Sequence, residues 1–97
     1  MPAYIIVETD IHDHEQYARY QQATPAAVKA NGGRFIARGG ELEVLEGDWK
    51  PKRLVVLEFE NLEAAKRFYA SDSYRDAKKL REGAATLRMV AVEGLSD

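Results

Sequence analysis

Apolar residues run along this chain in two rhythms, and the switches between them mark its elements. Tyr4 to Thr9 (YIIVET) is β-branched and apolar on both alternating faces, the pattern of a short strand. From Tyr17 the period lengthens: Tyr17, Tyr20, Ala23, Ala27 and Val28 recur near 3.6 residues and predict a helix that buries one stripe. Asp13 stands as its N-cap, and Gln16 three residues on completes a possible capping box. Pro25 falls inside this stretch, so either the helix kinks there or Thr24 caps a second short helix with Pro25 at its first position. Asn31-Gly32-Gly33 ends the segment, glycine after the last turn being the usual stop.

Alternation returns in Arg34 to Arg38 (RFIAR) and in Leu42 to Glu46 (LEVLE), separated by Gly39-Gly40. The glycine pair reads as a bulge within one long strand or as the turn of a small hairpin, and the bulge is favoured. Gly47 to Pro51 is a loop, and Arg53 to Phe59 (RLVVLEF) is the clearest strand of the chain. Asn61 caps a second helix over Leu62 to Ala70 with Ala65, Phe68 and Tyr69 inward. Ser71-Asp72-Ser73 interrupts it, helix resumes over Tyr74 to Glu82, and Leu87 to Glu93 (LRMVAVE) is the last strand. The order β-α-β-β-α-β, with right-handed crossovers, predicts one α+β domain over residues 1–97: a ferredoxin-like antiparallel sheet with both helices on one face.

Helices on one face leave the other to water, and strands of such a sheet should alternate apolar with polar. These do not. Val55, Leu57 and Phe59 oppose Leu54 and Val56; Leu87, Met89 and Ala91 oppose Val90 and Val92; Tyr4 and Ile6 oppose Ile5 and Val7. A bare apolar face on the order of several hundred Å² marks an interface, and burial against a second copy gives a two-fold homodimer.

Composition narrows the function classes. Hydrophobic residues make up 45% and charged residues 31%, which sets disorder aside. A net charge of −2, with no concentrated basic run, argues against a nucleic-acid partner. Arg75 to Arg81, the densest basic stretch, is diluted by Asp76 and followed by Glu82. There are 0 cysteines, which excludes disulfides, thiolate metal sites and cysteine nucleophiles. No apolar run approaches the roughly 20 residues that span a bilayer, and no basic leader precedes the first strand, so the expected address is the cytoplasm, without a membrane partner.

Several of these residues recur together in a known family. Tyr17-x-x-Tyr20, Pro25, Gly32-Gly33, Arg38-Gly39-Gly40, Glu46-Gly47-x-Trp49, Arg53 and Phe59 are followed in order by Ala64-Ala65, Tyr69-x-Ser71-x-x-Tyr74 and Arg81. From about residue 4 to residue 94 the chain resembles the domain of unknown function 1330, within the dimeric α+β barrel superfamily. The resemblance implies a homodimer whose two sheets face each other, with a cleft between sheet and helices. It implies little about activity, since the superfamily spans cofactor-free monooxygenases, isomerases of small ring compounds, haem-degrading enzymes and proteins with no known reaction. The resemblance also leads to the expectation of His before the glycine pair in many members, where this chain has Asn31.

The chemistry-bearing residues point the same way. Arg34, Ile36 and Arg38 are expected on one strand face, and Arg53 opens a strand on a face with Val55 and Leu57. An arginine among apolar strand residues must be paired or reach the rim. Glu46 and Glu58 are the obvious partners, and a structural Arg–Glu pair is the favoured reading over an arginine that grips a carboxylate or enolate. Tyr20, Tyr69, Tyr74 and Trp49 are amphipathic aromatics suited to a small-molecule pocket. His12 and His14, at i and i+2, do not share a helix face, and neither HExxH nor a third ligand follows; no metal site is expected. Neither glycine pair joins a strand to the helix it feeds, so neither is a phosphate loop. No serine has the context of a nucleophile.

The reading is therefore a metal- and cofactor-independent enzyme, isomerase- or monooxygenase-like, that takes a small organic anion or carbonyl compound, with proton transfer or isomerisation next to a carbonyl as its most natural chemistry. The expected ligand-binding set is Tyr20, Arg38, Glu46, Trp49, Arg53, Glu58, Tyr69, Tyr74 and Arg81, with Arg38 or Arg53 on the anion, Glu58 or Glu46 as base and a tyrosine as oxyanion donor. The competing reading is a non-catalytic dimeric module that binds a metabolite or builds assemblies.

Overall fold

The computed structural model describes residues 1–96. Four strands, β1 (Ala3–Ile11), β2 (Arg34–Arg38), β3 (Leu54–Phe59) and β4 (Ala85–Glu93), form one antiparallel sheet in the order β2-β3-β1-β4. Helices α1 (His14–Ala30), α2 (Leu62–Ala70) and α3 (Asp72–Lys79) complete the βαββαβ arrangement of the ferredoxin-like fold.

The period-2 pattern decides which strand residues meet the helices. Ala3, Ile5, Val7 and Thr9 of β1 are buried, and in register with them lie Phe59, Leu57 and Val55 of β3. From the helices come Tyr17, Tyr20 and Val28, then Phe68 and Tyr74. Phe68 lies between Phe59 (centroids 5.1 Å) and Tyr74 (4.6 Å), an aromatic stack over the sheet centre. Each such side chain contributes roughly 1.5–3 kcal/mol by burial.

Local chemistry explains the helix ends. Asp13 caps α1 by accepting from Gln16 N at 3.0 Å, but the second half of a capping box does not form. The Gln16 side chain instead donates to the carbonyls of Leu80 (3.2 Å) and Glu82 (2.7 Å), tying the start of α1 to the end of α3. Ser71 ends α2 and caps α3 through its hydroxyl, so the break between those helices is one residue wide.

α1 runs unbroken through Pro25. Proline has no N–H, so the carbonyl of Gln21 lacks its helical donor. Arg38 supplies one, its Nη2 donating to Gln21 O at 2.6 Å. Beside it Thr24 Oγ1 donates to Tyr20 O at 2.5 Å.

The β2–β3 region departs from the sequence reading. Leu42 to Glu46 is not a strand: it belongs to an irregular segment from Gly39 to Arg53, because among the described residues no strand lies beside it to pair with. Gly39-Gly40 is therefore neither a bulge within a long strand nor a hairpin turn; a bulge lies instead inside β2, where the register to β3 slips between Phe35 and Ala37. That extra residue breaks the expected parity. Arg34 lies opposite Glu58, whereas Arg38 lies opposite Val55 on the helix side. Gly39 follows with φ +72, a left-handed conformation that glycine adopts freely.

The outer face matches its expected apolar centre. Tyr4, Ile6, Leu54 and Val56 are half-buried, while Val90 and Val92 are 62% and 48% exposed. Charged pairs fringe it: Arg34 Nε to Glu58 Oε1 at 2.6 Å and Arg88 Nε to Glu8 Oε1 at 2.6 Å.

Candidate functional site

A cavity of about 30 Å³ lies between α1 and the sheet, large enough for one or two waters. Its walls are largely apolar, from Val7, Val55, Leu57, Phe68, Leu87 and Met89. Its polar members are Thr9, Tyr17, Tyr20, Gln21, Thr24, Tyr74, Arg38 and Arg53, none of them a carboxylate or imidazole. The structure thus brings Tyr20, Arg38, Arg53 and Tyr74 of the expected set to one place.

The two arginines are the roots of the Gly39–Arg53 segment and reach the cavity from its β2–β3 side. Arg38 is held by Gln21 O, and its guanidinium carbon lies 4.4 Å from the Phe35 ring centre. Arg53 is half-buried and packs across Gly39, where an added Cβ would stand 2.7 Å from its Nε. Among the described residues no carboxylate pairs with Arg53. The expected Arg–Glu pair therefore does not form there; Glu58 faces the other side of the sheet and pairs with Arg34.

At the opposite end Tyr20 and Tyr74 share a hydroxyl–hydroxyl hydrogen bond of 2.8 Å, both phenols being buried. Burial foremost, and then the neighbouring Tyr74, raise the Tyr20 pKa far above that of a free phenol, so Tyr20 stays protonated. Tyr17 shifts the same way by burial, partly offset by Thr9, Arg53 and Arg81. The Arg81 guanidinium carbon lies 5.3 Å from the Tyr20 ring centre. Burial works against its charge, but Tyr74 and Tyr20 outweigh that and raise its pKa. Two buried atoms have no hydrogen-bond partner among the described residues, Thr9 Oγ1 in the cavity wall and Arg81 Nε. Thr9 was not among the expected site residues, although it follows Ile5 and Val7 in strand parity, a polar group in a core register.

Beyond Leu87 and Met89, which line both spaces, a second cleft of about 490 Å³ opens along β4, rimmed by Lys66, Tyr69 and Arg81. Lys78 donates to the Tyr69 hydroxyl at 2.6 Å on the surface.

Three expected site residues lie elsewhere. Trp49 Nε1 donates to Glu8 Oε2 at 2.9 Å, so the indole is fastened on the outer-face side of the sheet. Glu46 is exposed in the irregular segment, and Glu58 is on the outer face. Neither glutamate reaches the cavity, which corrects their assignment as base. His12 hydrogen-bonds Thr86 Oγ1 (2.9 Å), and among the described residues no cluster of His, Cys, Asp or Glu is arranged to hold a metal. No described helix is long and apolar enough to cross a membrane.

The profile of one family, described as domain of unknown function DUF1330, matches residues 2–95. The chain belongs to the DUF1330 family. No functionally curated protein matches it. Among solved structures, this DUF1330 chain is similar to a protein of unknown function from Rhodopseudomonas palustris, at 20% identity over 99% of this chain and 84% of that one, TM-score 0.75. A dimeric ferredoxin-like protein of unknown function from Bacteroides fragilis aligns at 19% identity over 96% of both chains, TM-score 0.61. SnoaB, a cofactor-independent oxygenase from Streptomyces nogalater, aligns at 11% identity over 99% of this chain and 95% of that one, TM-score 0.65. These likenesses establish the fold. Where many DUF1330 members are expected to carry His, Asn31 here closes α1, its Nδ2 donating to Ala27 O at 2.8 Å.

Proposed function

We propose that this DUF1330 chain forms a homodimer in which each subunit binds a small organic anion or carbonyl compound between α1 and the sheet and acts on it without a cofactor. The observation that carries this reading is Arg53: a half-buried guanidinium, unpaired by any carboxylate among the described residues, at the rim of a mostly apolar cavity. A cation in that position is suited to an anion with an apolar body. Tyr20 and Tyr74, hydrogen-bonded to each other in the cavity lining, carry phenolic donors at the other end.

Without a carboxylate or imidazole in the lining, base-catalysed isomerisation is disfavoured. The residues fit a substrate acidic enough to enter as its own anion, such as an enol, a phenol or a carboxylate. The fold shared with a cofactor-independent oxygenase supports that choice. The cavity as it stands admits only water, so binding requires α1 and the Gly39–Arg53 segment to part.

The test is a thermal-shift screen of small carboxylates, enols and phenols against wild type, Arg38→Ala and Arg53→Ala, followed by oxygen-uptake assays on the hits. A ligand should raise the wild-type Tm and raise that of Arg53→Ala much less. Equal shifts in all three proteins would remove the arginines from the site. Binding without turnover would leave the non-catalytic module as the correct description.

A further inference from the structure

We infer that the Thr9 hydroxyl and the Arg53 guanidinium form a two-point subsite for a carboxylate, so that the anion taken by the cavity is a small carboxylic acid with an apolar body. The inference rests on the function proposed above and chooses among its three anion classes.

The two residues are neighbours because the β1–β3 register makes them so. Glu8 lies opposite Leu54, and the next step brings Thr9 beside Arg53, whose carbonyl accepts from Thr9 N at 3.0 Å. Residues directly opposite in an antiparallel pair hold their Cβ atoms about 5 Å apart on one face. Here that face is the inner one. Thr9 continues the parity of Ile5 and Val7, Arg53 continues that of Val55 and Leu57, and both line the cavity.

Thr9 is costly at this position unless something meets it. The residue is 1% exposed, and its Oγ1 has no hydrogen-bond partner among the described residues. Ala3, Ile5 and Val7 fill the other inward positions of β1, and a valine would fill this one with the same shape and no stranded hydroxyl. The charged group beside it offers no acceptor either, since a guanidinium has only donors. Tyr17 stands close to both: Thr9 and then Arg53 offset part of the rise that burial gives its pKa.

Two donors side by side select the anion. A carboxylate has two oxygens, one for the guanidinium and one to accept from the Thr9 hydroxyl. A phenolate or enolate brings a single oxygen, which takes Arg53 and leaves Thr9 stranded. A site with a buried polar group rejects the ligand that leaves that group unpaired. The apolar walls, Val55, Leu57 and Phe68 among them, take the body of the acid.

Pentafluorobenzoate and pentafluorophenolate test this on the full chain, because they share a ring and are both anions at neutral pH. In calorimetric titrations wild type should prefer the benzoate by about tenfold or more. Thr9→Val should weaken the benzoate about tenfold and the phenolate less than about twofold, whereas Thr9→Ser, which keeps the hydroxyl, should retain most of the benzoate affinity. Without ligand, the Tm of Thr9→Val should equal or exceed that of wild type, because the orphan hydroxyl is gone. Equal binding of both probes by wild type, or undiminished benzoate binding by Thr9→Val, would overturn the carboxylate subsite and leave the Arg53 anion site standing. A lowered Tm in ligand-free Thr9→Val would do the same, since the hydroxyl would then have a partner in the resting protein. If neither probe binds wild type, the cavity is no anion site and both readings fall.

Discussion

Replacing Tyr74 by Phe removes one oxygen atom and leaves the ring, so packing against Phe68 and Tyr69 is retained. What changes is the Tyr20 hydroxyl, which loses the 2.8 Å bond to its partner inside a residue only 7% exposed, and the Arg81 guanidinium, which loses the Tyr74 oxygen beside it. A buried polar group left unsatisfied costs about 1–3 kcal/mol, more than the net contribution of the bond itself. Tyr74→Phe should therefore destabilise the protein by about 2 kcal/mol, equivalent to roughly 8–16 °C in Tm for a domain of this size. Tyr20→Phe strands the Tyr74 hydroxyl, which is 1% exposed but still has Arg81 beside it. The loss there should be smaller, about 1 kcal/mol. In the double variant no orphan hydroxyl remains in the pair, so it should be no less stable than Tyr74→Phe alone, giving a coupling of at least about 1 kcal/mol in the cycle.

The assay is urea unfolding followed by far-UV circular dichroism at one fixed protomer concentration, because the stability of the proposed dimer would depend on concentration. Losses that simply add across the cycle would refute the argument. They would mean that the two phenols are satisfied independently and that the 2.8 Å contact carries no energy of its own.

Other perturbations probe the remaining contacts. Trp49 is the only tryptophan, and Glu8, which accepts from it, has a pKa lowered below 4.5 by that bond first and by Arg88 second. A lowered carboxylate pKa gives a contribution that is complete above the unfolded value and lost as pH falls through the folded one. Indole fluorescence should thus hold from neutral pH to about pH 5 and shift red with a midpoint below 4.5, and a shift centred above 4.5 would contradict the tether. Pro25→Ala restores a helical donor to Gln21 O, so Arg38→Ala should cost about 1 kcal/mol in wild type and less than about 0.5 kcal/mol in the Pro25→Ala background, measured by denaturant midpoints. Gly39→Ala combines a left-handed backbone with a 2.7 Å approach to Arg53 Nε; it should destabilise by about 1–2 kcal/mol and displace Arg53, so that ligand-induced Tm shifts fall with it.

Which features could be read from residues alone follows from what local pattern encodes. The strands over Tyr4–Thr9, Arg53–Phe59 and Leu87–Glu93 match β1, β3 and β4 within two residues, because β-branched alternation is a local signal that tertiary packing here reinforces. Parity also fixes the faces of single polar residues. With Val55, Leu57 and Phe59 inward, Glu58 must face outward, and with Ile5 and Val7 inward, Thr9 must enter the core; both placements are visible before any coordinates. Arg38 is different. Its face depends on one bulge residue at Ile36, and its partner depends on a carbonyl that Pro25 leaves free 17 positions earlier in the chain. Period-2 counting loses its meaning after a bulge, and no local rule joins a proline in a helix to an arginine on a strand. Leu42 to Glu46 fails for the opposite reason. Its pattern describes a strand correctly as a demand for a neighbour, and among the described residues no neighbouring strand meets that demand.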